Sequence, residues 1–322
     1  MSSARVRRAF VTGGAGFIGS HIVDRLAMDG ADVTIYDNFS TGHKEFISHH
    51  TQNVRVVRAD VLDLEQLKKE MAGCDFVFHL QANADVRGGL QRTRVDLEQN
   101  TIATWNVLEA MRVNEVRQIA FASSATVYGE PEVFPTPESY APLQTSLYGA
   151  SKLAGEAMIQ AYSEYFGIRS YIFRFVSWIG ERYTHGVIFD FIKKLRINAR
   201  ELEILGDGKQ HKSYLDVTDG CNGIFSAIQL ANGRSNVFNL GHDEIMNVLD
   251  LANIVVHQLG LEGVRYRTTG GERGWLGDSP FVHLDTAKLK GLGWKPQIPI
   301  EQGIRNTVRY LQTHPQVLEG RT

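Results

Sequence analysis

The stretch Thr12-Gly13-Gly14-Ala15-Gly16-Phe17-Ile18-Gly19-Ser20 constrains this chain more than any other. It follows a short apolar run, Ala9-Phe10-Val11. It precedes residues 18–27, where Ile18, Ile22, Val23, Leu26 and Ala27 share one helical face. The glycines at 13, 16 and 19 give G-x-x-G-x-x-G. The first permits a tight turn, the second a close backbone approach, and the third packing of helix against strand. A helix opening there presents unpaired N–H donors and the positive end of its dipole to a pyrophosphate. Alone the glycine pattern is weak evidence; between a strand and a helix it stands where a dinucleotide loop requires it.

Further apolar runs of strand length occur at 32–36, 54–57, 76–80, 119–122 and 171–176. Helical patterns at 64–71, 100–112 and 150–165 separate most of them. The alternation predicts an α/β fold, a doubly wound parallel sheet (Rossmann) covered on both faces by right-handed crossovers. After about Ser177, glycine, proline and loop signals become denser, as in GDG at 206–208, TGG at 269–271 and WKPQIP at 294–299. The expected division is a dinucleotide-binding domain over 1–176, rejoined by a segment near 214–242, and a smaller, irregular C-terminal lobe over 177–322.

The second strand ends at Asp37, 18 residues beyond Gly19. A carboxylate there accepts hydrogen bonds from ribose hydroxyls and repels a 2′-phosphate, which favours NAD over NADP. Asn38 adds no charge, and no arginine follows to reverse that preference. The net charge of −2 argues against a generally basic nucleic-acid binder. No run of 18 apolar residues marks a spanning helix, so no membrane role is expected. The opening MSSARVRRAF has no apolar stretch of signal length. Cys74 and Cys221 lie far apart and read as small apolar residues, compatible with a reducing cytoplasm. His49 and His50 adjoin in a polar loop and the other histidines are dispersed, so no metal site is expected.

Reactive groups follow in order. Tyr148-Gly-Ala-Ser-Lys152 is the single tyrosine among eleven with lysine four positions on. On a helix those positions share a face. A free phenol has a pKa of about 10. A neighbouring Lys⁺ and an oxidised nicotinamide ring would favour the phenolate, making it usable as a base toward a sugar hydroxyl. The alternative is a surface cation beside a half-buried ring. Ser123-Ser124-Ala125-Thr126 directly follows the fifth strand, at the carboxyl end that faces the ligand crevice.

Together, TGGAGFIGS, Asp37, Asp60-Val61, SSATVYG and YGASK make the chain resemble the extended short-chain dehydrogenase/reductase family over nearly its whole length. The resemblance implies tightly held NAD and a nucleotide-sugar substrate, which makes the C-terminal lobe a nucleotide-sugar-binding lobe. It places cofactor contacts at Gly13, Gly16, Phe17, Ile18, Gly19, Asp37, Asn38, Leu80, Gln81 and Ala82, with Asp60 and Val61 flanking the adenine. It makes Tyr148 the base and Lys152 the group orienting the nicotinamide ribose, while Ser124 and Thr126 contact the sugar hydroxyl. It assigns substrate contacts to Arg87, Ser177, Val187, Leu205, Lys212, Tyr214, Arg273 and Asp278, with Arg273 suited to a diphosphate. A homodimer through helices near 100–112 and 150–165 is also implied.

Within that family the chain is most similar to UDP-galactose and UDP-glucuronate 4-epimerases. Related 4,6-dehydratases and decarboxylases carry a carboxylate just after the strand-five serine, where this chain has Ala125-Thr126. The expected reaction is therefore NAD-dependent 4-epimerisation through a 4-keto sugar. The rivals are a dehydratase, a reductase, an epimerase at another carbon, or a non-catalytic NAD-binding scaffold or redox sensor. Three departures concern the sugar: Ser177 replaces a common asparagine, Ala84 a common lysine or serine, and Gln81 a small residue. Arg87 and Arg182 would suit a substrate carboxylate, as in a uronic acid. Surface salt bridges are preferred for both because exposed ion pairs are common.

Overall fold

The computed structural model describes residues 6–83 and 85–319, so Ala84 lies outside the described residues. The first half runs β1 (Arg8–Thr12), α1 (Phe17–Met28), β2 (Asp32–Asp37), β3 (Val54–Arg58), α2 (Leu64–Glu70), β4 (Phe76–His79), α3 (Thr93–Asp96), α4 (Ala103–Val113), β5 (Gln118–Ser124), α5 (Leu147–Phe166) and β6 (Arg169–Phe175). The second half runs β7 (Ser177–Ile179), α6 (Val187–Ile197), β8 (Glu201–Ile204), β9 (His211–Lys212), β10 (Tyr214–Asp216), α7 (Val217–Leu230), β11 (Ser235–Leu240), β12 (Met246–Asn247), α8 (Val248–Gln258), β13 (Arg265–Thr268), β14 (Phe281–Val282), α9 (Ala287–Lys290) and α10 (Ile300–Thr313).

The main sheet has seven strands, ordered β3-β2-β1-β4-β5-β6-β11, and every pairing is parallel. Strand order reverses between β1 and β4, which opens a ligand crevice beyond their carboxyl ends. Side chains alternate across the sheet. Ala9 and Val11 enter one core with Ile22, Val23 and Leu26 of α1, whereas Phe10 enters the other with Val107 and Met111 of α4. Both faces are therefore buried, as an all-parallel sheet requires.

β11 returns to this sheet beside β6, with Ser235 opposite Ser170 through Leu240 opposite Phe175. The rest of the second half forms small pairings: β10 with β7, β13 with β8, and β9 between β12 and β14. The α1-side core continues without interruption into Ile188 and Ile192 of α6, Leu251 and Val255 of α8, and Ile304 and Val308 of α10.

Two helix starts differ from the sequence reading. The pattern at 100–112 opens with a π-helical turn, Leu97–Ile102, before α4. The reason is packing: within the turn, Asn100 Nδ2 reaches Ser151 Oγ at 2.9 Å and Asp96 Oδ1 at 3.2 Å. Such turns cluster at functional sites. The pattern at 150–165 begins earlier, at Leu147, because Ser146 Oγ accepts the Gly149 N–H at 3.0 Å as an N-cap. Tyr148 thus stands in the first turn of α5.

Candidate active site

Backbone geometry accounts for the glycine loop. Gly13 has φ +71°, and a Cβ there would stand 2.8 Å from Gln81 N and 2.9 Å from Gln81 Cα. At Gly19 a Cβ would stand 2.0 Å from the Gly13 carbonyl oxygen. Gly16 is the N-cap of α1 and provides no side-chain cap, so the first N–H groups of the helix face the crevice. Gln81 Nε2 donates to Gln99 Oε1 at 2.9 Å, while the buried Gln81 Oε1 has no partner. A cradle that a Cβ would fill and an uncapped helix start fit a dinucleotide phosphate, whereas the orphaned Gln81 acceptor fits a ligand hydroxyl or amide donor. Leu80 N donates to Thr12 O at 3.2 Å, and Ala82 follows on the half-buried rim.

Asp37 closes β2. Its buried carboxylate accepts the Ala15 N–H at 3.0 Å and the Phe39 N–H at 2.8 Å. Burial pushes its pKa up, and these two N–H groups partly oppose that. Asn38 and Asp60 are turned toward each other, Nδ2 to Oδ2 at 2.9 Å, and Asp60 Oδ1 also accepts the Leu62 N–H at 3.0 Å. Their side chains brace each other beyond the end of β2. Val61 is buried and its carbonyl accepts Asn106 Nδ2 at 2.8 Å.

The reactive groups converge from β5 and α5. Ser124 Oγ accepts the Thr126 N–H at 3.2 Å and the Thr126 hydroxyl at 2.9 Å. The half-buried Tyr148 phenol lies beside Ser124, whose side chain lowers its pKa. Lys152 is buried; its Nζ donates to the Ala122 carbonyl at 2.8 Å and stands 4.9 Å from the Phe121 ring centre and 5.9 Å from that of Tyr148. Burial drives the two groups in opposite directions. It pushes the phenol up to about 12, with Ser124 opposing and Asp96 adding to the rise. It pulls the ammonium down to about 7, opposed by Asp96 and Glu156.

Of the two groups expected to favour the phenolate, Lys152 does not outweigh burial, because the apolar surroundings disfavour both charged forms.

Several partners carry no motif of their own. Asp96 is fully buried; its Oδ1 accepts Asn83 Nδ2 at 2.9 Å, its Oδ2 has no partner, and burial raises its pKa. Glu156 accepts Ser123 Oγ at 2.5 Å and forms a two-pronged pair with Arg174, 2.7 Å at the shortest. Arg174 continues to Tyr128 Oη at 2.9 Å, and Tyr128 to Asn239 Oδ1 at 2.6 Å. His79 lies between Thr12 Oγ1 at 2.8 Å and Thr104 Oγ1 at 3.1 Å; burial holds it neutral, with a pKa of about 3. The one available sequence signal was the stripe Tyr148, Lys152, Glu156, spaced by four along α5.

In the lobe, Lys212 Nζ pairs with the buried Asp278 at 2.5 Å, and Asp278 Oδ2 accepts the Gly274 N–H at 3.1 Å. Arg273 pairs with Glu130 at 2.7 Å. These residues are therefore held by protein partners, which the sequence reading missed. It also missed Trp275, whose ring centre lies 5.1 Å from Lys212 Nζ and 5.8 Å from the Arg87 guanidinium, and whose buried indole N–H has no partner. Ser177 is exposed at the start of β7, Val187 opens α6, Leu205 follows β8, and Tyr214 is buried with its phenol pushed up by burial. Arg182 is elsewhere, paired with Asp24 of α1 at 2.8 Å. His49 and His50, adjoining in sequence, also share a partner that the sequence reading missed: their Nε2 atoms both meet Asp24 Oδ1, at 3.0 and 2.8 Å, because the β2–β3 loop folds over α1.

Residues 9–241 match the model of the family described as the NAD dependent epimerase/dehydratase family. A Methanocaldococcus jannaschii protein provisionally named UDP-glucose 4-epimerase is 35% identical, over 94% of this chain and 98% of its own length. UDP-glucuronic acid decarboxylase 1 of Xenopus tropicalis is 32% identical, over 95% of this chain and 72% of its own. A crystal structure of a UDP-galactose 4-epimerase superposes with a TM-score of 0.86 at 38% identity, covering 95% of this chain and 99% of that one.

Proposed function

This chain belongs to the NAD dependent epimerase/dehydratase family, and we propose that within it the protein inverts the 4-hydroxyl of a UDP-sugar through a 4-keto intermediate. One observation carries the choice of reaction. The turn after β5 that holds Ser124 beside Tyr148 continues with Ala125 and Thr126, which offer no carboxylate for proton removal from a sugar carbon. Relatives at similar identity include both epimerases and decarboxylases, so the reading rests on this turn.

Bound NAD⁺ supplies reversible hydride exchange and a positive ring charge. Toward it, the uncapped start of α1 holds the pyrophosphate and Asp37 the adenosine ribose. Lys152, fixed by the Ala122 carbonyl, orients the nicotinamide ribose. Tyr148 takes the 4-hydroxyl proton and returns it to the ketone oxygen, while Ser124 steadies that oxygen by hydrogen bonding. The sugar presents its opposite face between the two transfers, so atoms and charge balance without net oxidation.

Tyr148→Phe tests the assignment. General-base removal costs about 10²- to 10⁴-fold in turnover, with the melting temperature preserved, and the readout is product separation from UDP-glucose, UDP-galactose and UDP-glucuronate. Turnover near wild type sinks it. The decarboxylase reading is supported by relatives of that name at similar identity, and the Arg87 guanidinium 5.8 Å from the Trp275 ring would suit a uronate in either reaction. Release of CO₂ from UDP-glucuronate would favour it, and 4-epimerised product without solvent deuterium at carbon would favour the present reading. NAD binding without turnover on any of these sugars would favour a scaffold or sensor.

The reading extends to a cytoplasmic homodimer. Leu97, Ile102 and Trp105, in the π-turn and α4, and Leu147, Tyr165 and Phe166 of α5 are exposed apolar residues on the helices expected to pair. Sedimentation at twice the chain mass is the expected result. The two thiols, Cys74 and Cys221, are free.

A further inference from the structure

Away from the crevice, the loop between β2 and β3 crosses the outer side of α1, held there by the His43 N–H on the Ala15 carbonyl at 2.9 Å. The crossing brings His49 Nε2 and His50 Nε2 onto one atom, Asp24 Oδ1, at 3.0 and 2.8 Å. The two imidazoles are 4.0 Å apart at their centres, and the three potential ligand atoms all lie within 4.8 Å of one another. The other carboxylate oxygen, Asp24 Oδ2, is taken by Arg182 at 2.8 Å.

From this arrangement we propose that Asp24, His49 and His50 form a binding site for a divalent transition-metal ion such as Zn²⁺ or Co²⁺. Metal–nitrogen and metal–oxygen bonds of about 2.0–2.2 Å place neighbouring ligand atoms roughly 2.9 to 3.4 Å apart, from octahedral to tetrahedral geometry. The His49 spacing to Asp24 Oδ1, 3.0 Å, falls in that interval and the His50 spacing, 2.8 Å, just below it, so small side-chain rotations admit the ion. Two imidazoles and one carboxylate select a borderline transition ion over Mg²⁺ or Ca²⁺, which prefer all-oxygen shells. Arg182 plays the part of an outer-shell partner, fixing the carboxylate so that Oδ1 faces the imidazoles. Glu45 and Glu181 line with it a neighbouring depression of about 290 Å³. His50 is nearly buried while His49 is half exposed, which leaves solvent access for the remaining coordination positions.

The ion would tie the β2–β3 loop to α1 without touching Tyr148, Lys152 or the glycine loop, so the inference stands independently of the reaction proposed above. Since it binds the folded chain, it raises the melting temperature.

The test uses full-length, tag-free protein treated with a chelator and then dialysed. Titration with Zn²⁺ alone is expected to show one ion per chain by calorimetry and a raised melting temperature. Co²⁺ alone should give a visible d–d band without the near-ultraviolet charge-transfer band of a thiolate. Outer-shell changes alone weaken metal sites about 10- to 100-fold, so His49→Ala and His50→Ala should each weaken Zn²⁺ binding by at least about 100-fold, with unaltered NAD binding as the control for folding. Failure of wild type to bind Zn²⁺ overturns the proposal. So do affinity unchanged in both histidine variants and a thiolate band.

Discussion

Around Gly13 the wall of the crevice is backbone. The chain passes so close to Gln81 that no side chain fits, and the α1 amides point outward without help from any side chain. Around Asp278 the wall is side chain: Lys212 and Arg273 are held by Asp278 and Glu130, and Trp275 lies between two cations. The first kind of wall presents one fixed shape to a ligand that never changes its phosphates. The second can exchange partners, trading an internal ion pair for a ligand group. The two regions thus offer recognition by different physics, one by fixed backbone shape and the other by exchangeable ion pairs.

Four substitutions or conditions would break or sharpen that contrast. The largest effect is expected beneath the cofactor wall. Glu156→Ala leaves buried Arg174 without its counter-charge, which costs about 3–5 kcal/mol of stability; chemical denaturation measures it, and a loss under about 1 kcal/mol would show that the buried column is not structural. Next, Gly13→Ala meets both a positive φ and the Gln81 backbone. Backbone strain of that kind costs about 1–3 kcal/mol, so NAD affinity should fall by roughly 5- to 150-fold, and fluorescence titration that finds it unchanged would remove the backbone argument.

The third concerns Lys152, whose folded pKa of about 7 lies below its unfolded value. Between those values the unfolded chain binds the extra proton, so stability rises with pH, by at most about 1.4 kcal/mol per unit from this group. Relative to Lys152→Met, wild type should gain stability from pH 7 toward pH 10, and a flat difference contradicts the burial. The smallest effect belongs to the side-chain wall. Arg273→Ala breaks a partly exposed pair worth about 0–1 kcal/mol, so the melting temperature should barely move while KM for the UDP-sugar rises severalfold and NAD affinity holds.

Most of the main sheet was legible because its signals are local: a strand's alternation, a helix's periodicity, and glycines forced by close approach. The glycine loop, Asp37 and the Tyr148–Lys152 pair were legible for the same reason, each being a short spacing with a direct geometric meaning. Asp96, Arg174 and Trp275 were not, since their importance comes from which strand or loop lies opposite, a property of topology. The weight of burial on Tyr148 was not legible, because spacing reports proximity and says nothing of desolvation, here the dominant cause. Asp24 and His49 lie 25 positions apart and meet only through a loop crossing.

The apolar core that runs unbroken from α1 to α10 has a kinetic corollary. A molecule without an apolar seam between its halves resists hinge opening between them, so changes of access to the crevice fall to its rim loops.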